Sequence, residues 1–174
     1  MCNETPSPCS NREVVEIRDE CARDWKAVYQ AVASAFGQVA EAELITKLRA
    51  AGDGVIALVA EEDGQIVGHV LLSRMGAPFR ALALAPVSVI PAKQRSGIGS
   101  ALVNEAVVRA RREGWAAIFV LGEPSYYERF GFARGAAAGF TSPYAGRHFM
   151  VLALAPLPVT TGELRHAPAF RALG

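Results

Sequence analysis

The stretch PAKQRSGIGSALVNEAVVRARREG, Pro91 to Gly114, runs a glycine-rich turn directly into a strongly helical segment. Glycine is costly inside regular elements, so Gly97 and Gly99 at a helix entrance need a reason. From Ser100 to Glu113 the spacing predicts a helix with Leu102, Val103, Ala106, Val107 and Ala110 on one face and Asn104, Glu105, Arg109 and Arg112 on the other. Arg111 and Arg112 complement the negative end of its dipole, and Gly114 suits the C-terminal cap. The other end is positive. There, unblocked N–H groups around Gly97 and Gly99 can converge on an anion, with Lys93 and Arg95 beside them. Two accounts stay open at this point: a phosphate cradle, or a tight strand-to-helix turn and nothing more.

On either side of this helix, ALALAPVSVI (81–90) and AAIFVLG (116–122) read as strands. A strand, a helix and a strand this close together predict a right-handed crossover between parallel neighbours. Upstream, VVEI (14–17) is β-prone, and ARDWKAVYQAVASAF carries Trp25, Val28, Val32 and Phe36 at helical spacing. A second helix in VAEAELITKLRAAGDG puts Leu44, Ile45 and Leu48 on one face, with Gly52 as its stop. Between residues 54 and 75, two apolar runs meet at Glu61-Glu62-Asp63-Gly64, whose Asp-Gly step predicts a tight hairpin. Downstream, residues 133–147 read as loop, HFMVLALAP as a strand, and GELRHAPAF as a short tail that docks on the core. The expected fold class is α+β, a mixed α/β domain. Its sheet has six or seven strands, an antiparallel start, a parallel centre and helices on both faces.

Composition bounds the rest. A chain of 174 residues with 51% hydrophobic and 20% charged content fits one domain, expected over residues 13–174 behind a loose tail at 1–12. With 18 Lys and Arg against 17 Asp and Glu, no overall field points to nucleic acid or an anionic membrane. Cys2, Cys9 and Cys21 lack zinc-type spacing and read as free thiols in a reducing compartment. The N-terminus lacks the basic start and apolar run of a secretory signal, and the charge-free run Ala81–Ala92 is short for a bilayer span. The expectation is a soluble, cytoplasmic protein without a metal.

The nucleotide fingerprints do not fit the glycine turn. A Walker loop needs a Gly-Lys-Ser/Thr step that is absent, and the dinucleotide fingerprint needs a glycine where Leu102 stands. VSVIPAKQRSGIGSAL instead resembles the acyl-CoA-binding segment of the GNAT superfamily of N-acetyltransferases, with Gln94, Gly97 and Gly99 at the motif positions. EEDGQIVGHVLLS resembles the family's central hairpin, and YYERFGF its tyrosine helix followed by Gly-Phe. GHVLLS, APVSV, QRSGIGSALV and VLGEPSYYERFGF together are similar to the bacterial YhbS-like subgroup. The resemblance spans residues 14 to 155.

The resemblance implies a GNAT-like sheet with a splayed parallel pair at its centre and acetyl-CoA as co-substrate. It implies a cofactor site over Gln94, Arg95, Ser96, Gly97, Ile98, Gly99 and Ser100, and backbone amides of Val87 and Val89 that hold the pantetheine arm and thioester. Pro86 fits a bulged strand there, because proline cannot donate to a ladder. Tyr127, four residues before Gly131, matches the family tyrosine that protonates the departing thiolate, a step a phenol can perform. Tyr126 reads as packing. The glutamate some relatives carry on the central strand is replaced by Ala83, and the asparagine near the amide arm has no match in LGEPSYY.

For the general base, Glu123 follows a central strand at the carboxyl end where open sheets bind ligands. A solvated loop carboxylate is the plain alternative. Glu43 on the second helix and His69 in an apolar strand are weaker candidates, His69 reading as a hydrogen-bonded structural histidine. The expected activity is acetyl transfer from acetyl-CoA to a small-molecule or peptide amine by direct attack, with no cysteine near the motifs to form a covalent intermediate. The alternative is a non-catalytic acyl-CoA-binding sensor or interaction module. The family also brings a homodimer into view, although no stretch of sequence marks a symmetric interface.

Overall fold

The computed structural model of the chain describes residues 14–173; the expected tail, with Cys2 and Cys9, lies outside them. The chain opens with β1 (Glu16–Asp19), then α1 (Trp25–Phe36) and α2 (Ala40–Ala51), each helix closed by a left-handed glycine at Gly37 and Gly52. The hairpin of β2 (Gly54–Glu62) and β3 (Gln65–Met75) turns on Asp63 and Gly64 with φ of 49° and 77°. Two consecutive positive φ angles give the primed turn that matches strand twist.

Next come β4 (Ala81–Val89), α3 (Ile98–Arg112) and β5 (Ala117–Leu121), the expected crossover, with β4 and β5 parallel from Ala81↔Ala117 to Leu84↔Val120. The order of the six-stranded sheet is β1-β2-β3-β4-β5-β7, where β7 is Phe149–Ala153, and every pair but β4–β5 is antiparallel. The helix starts two residues earlier than its sequence pattern indicates, at Ile98.

Side chains alternate between two cores, as the two-residue period of a strand requires. Along β5, Ile118 and Val120 face α3, while Ala117 and Phe119 face α1 and α2. The α3 core adds Leu82, Leu84, Leu102, Val103 and Met150; the other holds Val28, Val32, Leu44, Leu48 and Val151. Trp25 and Phe36, the ends of the predicted apolar stripe on α1, are instead half exposed. Gly68 lets α3 lie close on β3, since a Cβ there would sit 3.0 Å from Leu102 Cδ1 and 3.1 Å from Ile98 Cγ2.

Residues 133–147, expected as loop, hold two short elements: α5 (Arg134–Ala137) and β6 (Phe140–Thr141). The strand β6 pairs in parallel with β8 (Gly162–Glu163) in a separate two-stranded sheet. The tail docks as expected, burying Leu164, Ala167 and Phe170, and ends in a 3-10 turn at Pro168–Leu173. Between β5 and α5, the helical turn α4 (Pro124–Tyr127) continues into a 3-10 turn at Glu128–Phe130. Among the described residues, no helix is long and apolar enough to cross a membrane.

Candidate active site

The pairing of β4 with β5 stops at Leu84↔Val120, yet β4 continues to Val89 alongside β3. Its partner strand ends at Leu121, so the two central strands part and leave one edge of β4 without a neighbour. A register shift between Val70 and Leu72 marks the same region, and Pro86 brings no N–H to it. The Ile90 N–H bonds back to Val67 O at 2.9 Å. Alternation along the strand turns the Ser88 N–H the same way and aims the Val87 and Val89 N–H groups into the gap.

Beyond β4 the chain passes through a 3-10 turn (Pro91–Lys93) and reaches α3 through two left-handed residues, Arg95 at φ 61° and Gly97 at φ 89°. Gly97 is the N-cap and has no side chain to receive the first N–H groups of α3. Those groups are the donors a helix start leaves open, and they carry the positive end of the dipole. A Cβ added at Gly97 would meet nothing within 4 Å, so the space before the turn is empty. Uncapped donors beside empty space fit an anionic group such as a pyrophosphate. Gln94 Nε2 donates to Val89 O at 3.1 Å and ties this loop to the end of β4. Ser96 Oγ bonds to Lys93 O within the turn. Ile98 points its side chain into the core, leaving only its backbone to the cradle. Lys93, expected beside the anion, forms an ion pair with Glu62 at 2.5 Å.

Val87, Val89, Gln94, Arg95, Gly97, Gly99 and Ser100 line one cavity of about 480 Å³. Three further members, Ser88, Tyr126 and Arg129, were missed by sequence reasoning. Tyr126, read there as packing, brings its hydroxyl to within 2.8 Å of where a Cβ on Gly99 would stand, which gives Gly99 a second reason to be glycine. Arg129 stacks on the Tyr126 ring with its guanidinium carbon 4.6 Å from the centroid and donates to Ser100 Oγ at 3.2 Å. An arginine two residues past the matched Tyr127 was the available signal; α4 carries Tyr126, and the 3-10 turn after it brings Arg129 to the same cavity.

A second cavity, of about 380 Å³, opens on the other side of the gap and shares Val87 with the first. Tyr127 and Glu123 line it, so the adjacent tyrosines divide between the two spaces. Tyr127 is buried, and its close approach depends on Gly122, where a Cβ would run into the Tyr127 ring. Burial pushes its phenol well above the ordinary tyrosine range, and the charge interaction with the neighbouring Tyr126 phenol adds to the effect; the two rings meet edge-on at 5.0 Å. Glu123 is exposed at the cavity rim and accepts from Ser125 Oγ at 3.3 Å.

Of the weaker base candidates, neither reaches this cavity. Glu43 is exposed on another face of α2, and the residue that lines the cavity is Glu41, two positions earlier. His69 is fully buried, 2.6 Å from Glu20, and Glu20 also pairs with Arg49. Burial holds the His69 ring neutral against the pull of Glu20, so Nε2–H donates to the carboxylate, while Nδ1 has no partner. It is a structural histidine, as read. Ala83 lines the cavity without a carboxylate to offer. Tyr144, His166, Phe170 and Leu173 also line it and gave no local signal in the sequence.

The model of the Acetyltransferase (GNAT) family matches residues 18–132. The chain is 34% identical over 148 residues to the uncharacterised N-acetyltransferase YjhQ of Escherichia coli K12, which takes in 76% of this chain and 81% of the relative. The crystal structure of the GNAT family N-acetyltransferase YhbS from Escherichia coli, in complex with CoA, superimposes with a TM-score of 0.87 at 28% identity. That match covers 99% of this chain and 98% of the other. A GNAT family acetyltransferase from Brucella melitensis, in complex with acetyl-CoA, gives a TM-score of 0.78 at 33% identity over 91% of this chain and 99% of that one. The glycine turn, the parted strands and the tyrosine turn all lie inside the matched segment, and the chain belongs to the acetyltransferase (GNAT) family.

Proposed function

We propose that this protein transfers an acetyl group from acetyl-CoA to an amine by direct attack. One observation carries the reading: the unpaired edge of β4, with the Val87 and Val89 N–H groups, lies between an anion-suited cradle and a separate cavity beside Tyr127. The CoA and acetyl-CoA held by the two solved relatives support it.

In this reading the open N–H groups of the α3 turn, over Gly97 to Ser100, hold the pyrophosphate, with Gln94, Arg95 and Ser96 shaping the loop. The Val87 and Val89 N–H groups hold the amide arm and polarise the thioester carbonyl. The amine nitrogen forms a C–N bond to the acetyl carbon as the C–S bond breaks. The departing thiolate takes the phenol proton of Tyr127, which burial keeps on the ring. The amine's surplus proton passes to Glu123 and from there to solvent, and solvent returns a proton to the Tyr127 phenolate before the next turnover. Cys21, the cysteine among the described residues, lines neither cavity, in keeping with direct transfer.

The test is amine-dependent release of the CoA thiol. Turnover by the wild type, lowered about 100-fold or more in Tyr127→Phe, is the expected result. Acetyl-CoA binding without turnover of any primary amine would leave a non-catalytic acyl-CoA-binding module in its place.

A further inference from the structure

Four of the residues that line the acceptor-side cavity, Tyr144, His166, Phe170 and Leu173, lie beyond position 132, where the family match ends. Among the described residues, the formally charged side chains on its wall are Glu41 and Glu123, and no lysine or arginine lines it. His166 adds no charge, since burial lowers its pKa to about 4, and its ring meets Tyr144 and Phe170 edge-on at 4.7 and 5.3 Å. Apolar groups dominate the remainder. Phe36, Leu121 and Leu173 stand 42%, 52% and 40% exposed, and all three line this one cavity. Large apolar side chains left open to solvent around a concave site mark a surface that a ligand covers.

Resting on the acetyl-transfer reading, we infer that the acceptor is a small monoamine with an uncharged, apolar body of aromatic size. Its amine lies at the Val87, Glu123 and Tyr127 end, and its body lies against Phe36, Phe119 and Phe170. Rings of this kind give a planar apolar body both contact area and edge-on partners. Glu41, held by two hydrogen bonds from Gln38 Nε2 at 3.0 and 3.2 Å, adds a second negative charge to the wall. An acceptor bearing a carboxylate meets repulsion from both Glu41 and Glu123. A polyamine would bring further ammonium groups against the apolar wall of Ala83, Phe119 and Phe170, with Glu41 as the one carboxylate besides Glu123 among the described lining residues to pair them.

The experiment compares kcat/KM for 2-phenylethylamine, phenylalanine and spermidine on the full chain, after acetyl-CoA binding has been measured by calorimetry. Phenylethylamine should exceed each of the others by at least about tenfold. Glu41→Gln should raise kcat/KM for phenylalanine several-fold and narrow that gap. Leu173→Asp, at the exposed rim, should raise KM for phenylethylamine more than it lowers kcat. Equal or better use of phenylalanine or spermidine, or turnover of none of the three, overturns the inference while bound acetyl-CoA keeps the cofactor site standing. Absence of acetyl-CoA binding removes the acetyl-transfer reading and this inference with it.

Discussion

Tyr127 is where sequence motif, burial and chemistry meet most tightly. Its neighbour Gly122 has no side chain, so the ring packs directly over the end of β5 and the phenol is desolvated. The raised pKa has a definite sign: the phenol remains protonated through the pH at which an ordinary tyrosine, near 10, would lose its proton. Activity should therefore show no alkaline decline below about pH 10 that depends on Tyr127. A pH profile of kcat, repeated with Tyr127→Phe, checks this; a decline near pH 8 to 9 that vanishes in the variant would refute the protonated-phenol account. Glu123→Gln should lower kcat/KM by about 10- to 100-fold without changing the melting temperature, because the side chain is exposed and holds only Ser125. The cradle residues and Tyr127 could be read in the sequence because each group sits within one short segment, whereas the adjacent Tyr126 was read only as packing. His166 and Tyr144 could not, since the wall they build brings the C-terminal segment against α1 and α2 from opposite ends of the chain.

Among the elements, the hairpin and the β4-α3-β5 crossover were the most legible, and for local reasons. Asp63-Gly64 can take two positive φ angles, and α3 shows a clean apolar stripe from Leu102 to Ala110. The parallel pair β6 and β8 was illegible. Each contributes two residues, too few for a period, and their pairing joins segments separated by the whole of β7. The loop expectation over residues 133–147 failed for that reason. Gly68 is the test of how α3 is seated. Gly68→Ala forces its Cβ to within about 3 Å of Leu102, Ile98 and the Ser88 carbonyl, and should destabilise the fold by about 1 to 3 kcal/mol in chemical denaturation. Since Ile98 begins α3 and Ser88 lies on the free stretch of β4, acetyl-CoA affinity should fall in parallel. Unchanged stability would mean that α3 is not held at this distance.

The two cores clamp the sheet from both sides, and buried polar groups pin the first strands to them. Arg18 joins Asp24 at 2.8 Å and Glu61 at 2.6 Å, linking β1, the turn before α1, and β2. The Arg18 guanidinium holds the Asp24 carboxyl well below the usual carboxylate range. His69 and His166 are both shifted down by burial. The signs agree. A histidine with a lowered folded-state pKa stabilises above its unfolded value, near 6.5, and loses that contribution as the pH falls toward the folded value. Asp24 does the same from its ordinary value, near 3.9, downward. Stability should therefore decline in two stages, the first beginning below about pH 6.5 and the second below about pH 4. Urea unfolding at about pH 7.5, 5.5, 4 and 3 reads both stages, and His166→Asn should flatten the first; a flat profile from about pH 7.5 to 5.5 would contradict the buried neutral histidines. The most direct measurement is thermal unfolding with and without acetyl-CoA, for the wild type and for Gly97→Glu, which sets a carboxylate in the cradle. At a hundredfold excess over the dissociation constant, binding adds about 2.7 kcal/mol, a rise in melting temperature of roughly 5 to 10 °C for a chain of this size. The account predicts that rise in the wild type and its loss in a folded Gly97→Glu variant. No rise in the wild type, or the same rise in both, would contradict it.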